Sequence, residues 1–66
     1  MARVEVHVLP GGKRRTIDAE TVRDLLERLG GDAESYVVLR GGRPLLPGER
    51  LREGESLVVV RVLSGG

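Results

Sequence analysis

The chain carries no cysteine, which excludes a disulfide framework, a thiolate nucleophile and cysteine-ligated zinc or iron–sulfur centres. His7 is its single histidine, too few for a histidine-rich metal cluster. Phenylalanine and tryptophan are missing, and Tyr36 is the one aromatic side chain, so valine and leucine must fill almost all of the core. Asparagine and glutamine are absent as well, and Lys13 is the only lysine among eleven basic residues. Loss of amides together with many charges fits a thermophile. A GC-rich genome, whose codons favour arginine over lysine, fits the same composition equally well. Eleven basic residues against ten acidic ones leave a net charge of +1, without the basic excess of a dedicated nucleic-acid binder. The longest apolar run, Leu57 to Val60, is four residues. A membrane-spanning helix needs about 20. The opening Met1-Ala2-Arg3-Val4-Glu5 lacks the apolar stretch of a signal peptide. The expectation is a small cytoplasmic domain that binds neither membrane nor nucleic acid directly, with no bound cofactor or metal.

Sixty-six residues make one domain. Chains this short bury little and often need a disulfide or a metal as a staple, and cysteine is unavailable here. The fold must therefore rest on strong turns, clean patterning and branched aliphatic side chains.

Residues 3–8 alternate strictly, with Val4, Val6 and Val8 on one face and Arg3, Glu5 and His7 on the other, the pattern of a half-buried strand. Pro10-Gly11-Gly12-Lys13 reads as a turn and 14–18 as a returning strand. Val22, Leu25, Leu26 and Leu29 then fall at helical spacing. Thr21 suits the N-cap, with Asp24 placed for a capping-box-like start, and Gly30 or Gly31 suits the left-handed position that ends the helix. Residues 36–40 read as a strand too uniformly apolar to fix its facing. Residues 43–47, bounded by Pro44 and Pro47, form at most a short edge strand. The segment 47–55 reads as a long turn anchored by Leu51, and 56–63 as the last and strongest strand. The order β, β, α, β, short β, β predicts an α+β layer, one sheet of four to five strands with one helix packed across it, the helix returning the chain parallel to an earlier strand.

Catalytic equipment is sparse. Ser35, Ser56 and Ser64 have only His7 as a candidate base, and no acid has triad-like spacing. His7 on a polar face reads as a solvated histidine. Gly11-Gly12-Lys13 lacks the spacing and the following helix of a phosphate loop. Arg14-Arg15 reads as a charged strand edge that discourages aggregation. What stands out is the end of the sequence, Ser64-Gly65-Gly66. Its glycines have no turn to make and no helix to cap. Residues 63–66 span about 13 Å when extended, at about 3.3 Å per residue. A tail without Cβ atoms can thread a narrow channel and present a carboxylate to another protein's active site. Residues 1–63 are expected to form the domain and 64–66 the tail.

The helix motif 21–29, the segment 51–57 and the Ser64-Gly65-Gly66 end together resemble the ubiquitin-like sulfur-carrier proteins of β-grasp fold. These comprise the thiamine and molybdopterin sulfur carriers, the bacterial carrier for tRNA 2-thiolation and the archaeal small modifier proteins. The likeness spans essentially the whole chain. Its length and the stretch Val38-Leu39-Arg40-Gly41 lean toward the tRNA-thiolation carriers, and no residue decides the pathway. The resemblance implies that an E1-like enzyme adenylates Gly66 with ATP. The acyl adenylate then becomes a thiocarboxylate by way of a sulfurtransferase or other sulfur donor, or a thioester leading to an isopeptide on a target lysine. The protein itself would be the substrate, not the enzyme, and would deliver sulfur to an accepting enzyme. Should chains form, Lys13 or the N-terminal amine must accept.

Two facings of the last strand stay open. Either Val58, Val60 and Val62 face the core with Leu57, Val59 and Arg61 outside, or the parity is reversed. The resemblance favours Leu57 and Val59 inside and Arg61 already beyond the sheet. Each leaves aliphatic surface beside the tail, making Val58, Val60, Arg61 and Val62 candidate docking residues; a sheet neighbour and the helix could equally bury all but one of them. Three functions follow: a sulfur carrier or modifier used through its C-terminus, a non-covalent β-grasp interaction module whose glycines are only a frayed end, or a small enzyme, which the missing nucleophiles disfavour.

Overall fold

The computed structural model describes residues 1–30 and 35–62. Strand β1 (Ala2–Leu9) turns through Pro10, Gly11 and Gly12 into β2 (Lys13–Ala19). Helix α1 (Val22–Arg28) follows, then β3 (Tyr36–Arg40), a two-residue β4 (Arg43–Pro44) and β5 (Ser56–Arg61). The sheet order is β2-β1-β5-β3-β4. First and last strands are neighbours and run parallel; every other pairing is antiparallel. It follows that β2 and β3, joined by α1, point the same way with two strands between them. The helix thus returns the chain parallel to an earlier strand, as its place in the order implies.

The strictly alternating register of β1 carries through the pairing. Val4, Val6, Leu57, Val59, Val38 and Ile17 all face one side and are buried, and Val22, Leu25 and Leu26 of α1 close over them. Leu29 is half-buried at the end of the same stripe. No polar residue is buried in this core. A purely aliphatic interior is what a chain without cysteine, phenylalanine or tryptophan has available. Strand β5 suits the centre because it has no proline, pairs with β1 over 56–60 and with β3 over 58–61, and supplies apolar residues to both faces.

Both ends of α1 are tied down. Thr21 is extended, and its Oγ1 accepts from the Asp24 amide at 3.2 Å. Asp24 reaches back to the amide of Glu20 at 3.0 Å, one residue before the position that a capping box uses. The amides of Val22 and Arg23 donate to the carbonyls of Glu49 and Pro47, at 3.0 and 2.9 Å. First-turn donors that have no partner within the helix thus find one in the distant 47–55 segment. Leu51, whose amide donates to Glu20 O, anchors that segment in the core. At the other end Gly30, at φ +82°, takes the left-handed position and donates to Glu27 O. Gly31, the alternative, lies outside the described residues.

The start of β2, the end of β5 and the place of Arg61 differ from the sequence expectation. Lys13 is the first residue of β2, paired with Val8, because the turn closes in Pro10–Gly12. Strand β5 ends at Arg61, although the Val62 amide still donates to Ser35 O at 2.8 Å; Leu63 lies outside the described residues. Arg61 belongs to the sheet, opposite Tyr36, and is not beyond it.

The 47–55 segment is tied to β1 by backbone bonds from Glu5 to Glu55 O and from Gly54 to Arg3 O, and to β3 by a bidentate ion pair. Arg40 at the end of β3 donates from Nε and Nη2 to the two oxygens of Glu55, at 2.7 and 2.9 Å, and from Nη2 also to Arg50 O. Glu55 accepts the Arg52 amide as well. The Arg40 hydrogen bonds hold the Glu55 carboxyl below its ordinary range, against the opposing effect of burial. Because the folded-state pKa lies below the unfolded one, the resulting stability is complete above the unfolded value of about 4.3. It is lost as pH falls through the folded value. Thermal melts of the parent should therefore lose stability from about pH 4.3 downward, and Glu55→Gln should lower the neutral-pH midpoint and flatten that acid limb. Separately, Thr21→Ala should cost about 1 kcal/mol and Leu25→Ala about 3 kcal/mol in urea unfolding.

Candidate functional site

The five-strand register brings a row of residues together on the sheet face opposite the helix: Arg14, His7, Val58, Leu39 and Pro44. The next row holds Leu9, Val60 and Val37. Val37, Leu39, Val58 and Val60 are each partly exposed, and Leu9 is 39% exposed. With α1 committed to the opposite face, these aliphatics form a continuous apolar patch over the centre of the sheet, flanked by His7 and Arg14. Contiguous exposed apolar surface of this kind is uncommon on small single domains.

The open question of strand facing is decided here. Leu57 and Val59 are 1% and 0% exposed, so the parity that places Val58 and Val60 outward is the one adopted. The physical reason lies in β1, whose Val6 and Val8 face the helix and pair in register with Leu57 and Val59. Val62 follows the strand and is 43% exposed. Arg61 differs from the other candidate docking residues, for its place in the alternation puts it on the helix side with Tyr36, at an exposed position. Val58 and Val60 are therefore brought together with Leu9, Val37 and Leu39, while Arg61 stands apart from them. Lys13 is exposed on the edge strand β2, in register with the helix-facing Val8, away from the apolar patch. Ser64, Gly65 and Gly66 lie outside the described residues, as does the expected boundary between domain and tail.

Sequence reasoning missed Leu9, Val37 and Leu39. Leu9 was legible in principle: it continues the alternation of Arg3, Glu5 and His7 by one step. Val37 and Leu39 were not, because a strand apolar at every position shows no facing until its neighbours are known. His7 sits on the expected face but is half-buried, since β1 is an interior strand with side-chain neighbours on both sides. Among the described residues no three of His, Asp and Glu are placed to hold a metal ion. No helix among them is long and apolar enough to cross a membrane.

A mixed five-strand sheet with parallel outer-sequence strands at its centre and one helix across it occurs in known proteins. The chain has the ubiquitin-like β-grasp fold. The UBL domain of Plasmodium falciparum Dsk2 superposes on it with a TM-score of 0.70 at 23% identity, over 92% of this chain and 97% of that one. Caldiarchaeum subterraneum ubiquitin gives a TM-score of 0.70 at 15% identity, over 98% of both chains. A computationally designed protein based on human erythrocytic ubiquitin gives 0.74 at 24% identity, over 100% of this chain and 98% of that one. At these identities the likeness is one of fold. No protein-family model matches the chain, and no curated protein sequence matches it.

The β-grasp scaffold thus leaves Val58 and Val60 on the sheet face that the helix does not cover. That facing is testable with adjacent residues of β5. Val60→Asp should leave the far-ultraviolet circular dichroism spectrum and a cooperative melt in place. Val59→Asp, which forces a carboxylate into the aliphatic core, should abolish the cooperative transition.

Proposed function

We propose that this chain is a ubiquitin-like protein used through its C-terminal carboxylate: a sulfur carrier, with conjugation to protein lysines as a further use of the same activated end. The observation that carries the proposal is the placement of the apolar patch on β5, the strand that leads directly into Ser64-Gly65-Gly66. A partner gripping Val58 and Val60 holds the start of the tail at a fixed place. From there residues 63–66, when extended, reach about 13 Å into an enclosed site, at about 3.3 Å per residue, and the last two carry no side chain.

In this reading the catalysis belongs to an E1-like adenylating enzyme. A carboxylate oxygen of Gly66 attacks the α-phosphorus of ATP, pyrophosphate leaves, and the carboxylate becomes an acyl adenylate. Attack by hydrosulfide-level sulfur from a sulfurtransferase or other donor expels AMP and leaves a thiocarboxylate. Attack by a partner's thiol gives a thioester instead, and transfer to a lysine amine gives an isopeptide and frees the thiol. The chain supplies the acyl group and the surface that positions it. Sulfur then passes to an accepting enzyme of tRNA thiolation, thiamine or molybdopterin synthesis. Lys13, the only lysine, is available on the edge strand as an acceptor should chains form.

A β-grasp interaction module that acts without covalent chemistry uses the same patch and ignores the tail, so the tail discriminates the two. Intact mass spectrometry after incubation with ATP, sulfide and an E1-like adenylating enzyme should show a mass gain equal to exchanging one oxygen for sulfur. Deleting Gly66 should abolish it. Val60→Asp should block it while the protein stays folded. Unchanged mass for the full-length chain across E1-like enzymes, with patch-dependent binding retained, would assign the module reading instead.

A further inference from the structure

A second surface lies at the opposite edge of the sheet from β2 and meets the face described above only at Pro44. Beyond β4 the 45–52 segment folds back beside the sheet and leaves an open groove of about 670 Å³. Pro44, Leu45 and Leu46 supply its apolar lining. Leu45 is half-buried against the core, whereas Leu46 is 71% exposed. An exposed leucine alone is ordinary. Here it sits beside a proline and a second leucine in a concave surface, which is not.

The charges around the groove are unevenly used. Arg3, Arg28, Arg40 and Arg50 each pair with a carboxylate. Arg43 and Arg52, both exposed and both lining the groove, have no carboxylate within 4.0 Å among the described residues. The acid that lines the groove, Glu49, is occupied: its Oε2 accepts the Leu46 amide at 2.6 Å. Of the next carboxylates along the chain, Glu53 accepts the Arg3 amide and Glu55 is taken by Arg40 and the Arg52 amide. The groove therefore combines an apolar floor with two guanidinium groups that form no ion pair within 4.0 Å among the described residues. Guanidinium groups take carboxylates in bidentate geometry.

The edge also limits how a partner binds. Strand β4 is two residues long and one of them is Pro44, which has no amide to donate. Backbone strand addition there has almost no ladder to extend, so recognition must run through side chains. We propose that this groove docks an acidic segment of a partner protein, its aliphatic side chain seated on Pro44, Leu45 and Leu46 and its carboxylates on Arg43 and Arg52. The site is independent of Gly66 and of the Val58–Val60 face, so it stands whether or not the tail is activated.

The test is a titration of the isotope-labelled full chain, followed by amide resonances, with an acetylated and amidated peptide of sequence Asp-Glu-Leu-Leu-Asp-Glu. Shifts should centre on residues 42–46 and 49–52. Raising salt from about 0.05 to 0.3 M should weaken binding, as screened surface charges require. Arg43→Glu combined with Arg52→Glu should weaken it about tenfold or more. Leu46→Ser should weaken it with salt dependence retained. Unshifted resonances of Val4 and Val59 will certify that each variant is folded. The control peptide with Asn and Gln replacing the acids should not bind. Shifts centred on Val37, Leu39, Val58 and Val60, no shifts at all, or an affinity indifferent to the double charge reversal would each overturn the assignment.

Discussion

Everything in this molecule depends on the parallel pairing of its two ends. Residues 5–9 and 56–60 lie side by side at the centre of the sheet, a contact that closes nearly the whole chain into one loop. That pairing has a high entropic cost, since parallel neighbours need a long connection. It is offset by burial, because both strands give their best aliphatic residues to the same face. With Val4, Val6, Leu57 and Val59 aligned, the helix has one surface to cover and its stripe of Val22, Leu25 and Leu26 fits it. Tyr36, the one aromatic side chain, packs at the border of this aliphatic core.

The same alignment creates the exposed apolar patch. Once Leu57 and Val59 face inward, Val58 and Val60 must face outward, because side chains alternate along a strand. With the single helix occupied on the other side, no element remains to cover them. The core and the exposed patch are therefore two consequences of one register. A shift by one residue would bury the patch and expose the core. This places the patch on β5, the strand that precedes Ser64-Gly65-Gly66 in the sequence.

The connections show a different kind of control. The 47–55 segment has no regular structure, yet it satisfies the first donors of α1, inserts Leu51 into the core and receives the Arg40–Glu55 clamp. It joins the helix start to the end of β3, two elements far apart in the chain. A long turn held this firmly keeps the edge at β4 in a defined shape, which is what allows a groove with a fixed arrangement of leucine and arginine to exist there.

Local physics made much of this legible beforehand. The alternation of residues 3–8, the helical spacing of Val22, Leu25, Leu26 and Leu29, the Thr21 cap and the glycine turns each express a constraint that acts within a few residues. So do the exclusions drawn from missing cysteine and scarce histidine, which follow from chemistry alone. The diglycine end is also a sequence fact, and its meaning rests on chemistry that lies outside the described fold. Tertiary structure decided which strands are neighbours, the facing of the uniformly apolar 36–40 and 57–60 segments, the separation of Arg61 from Val58 and Val60, and the pairing of Arg40 with Glu55. Those depend on contacts between residues far apart in the chain, and an aliphatic run that suits either face carries no local signal of which one its neighbours will leave open.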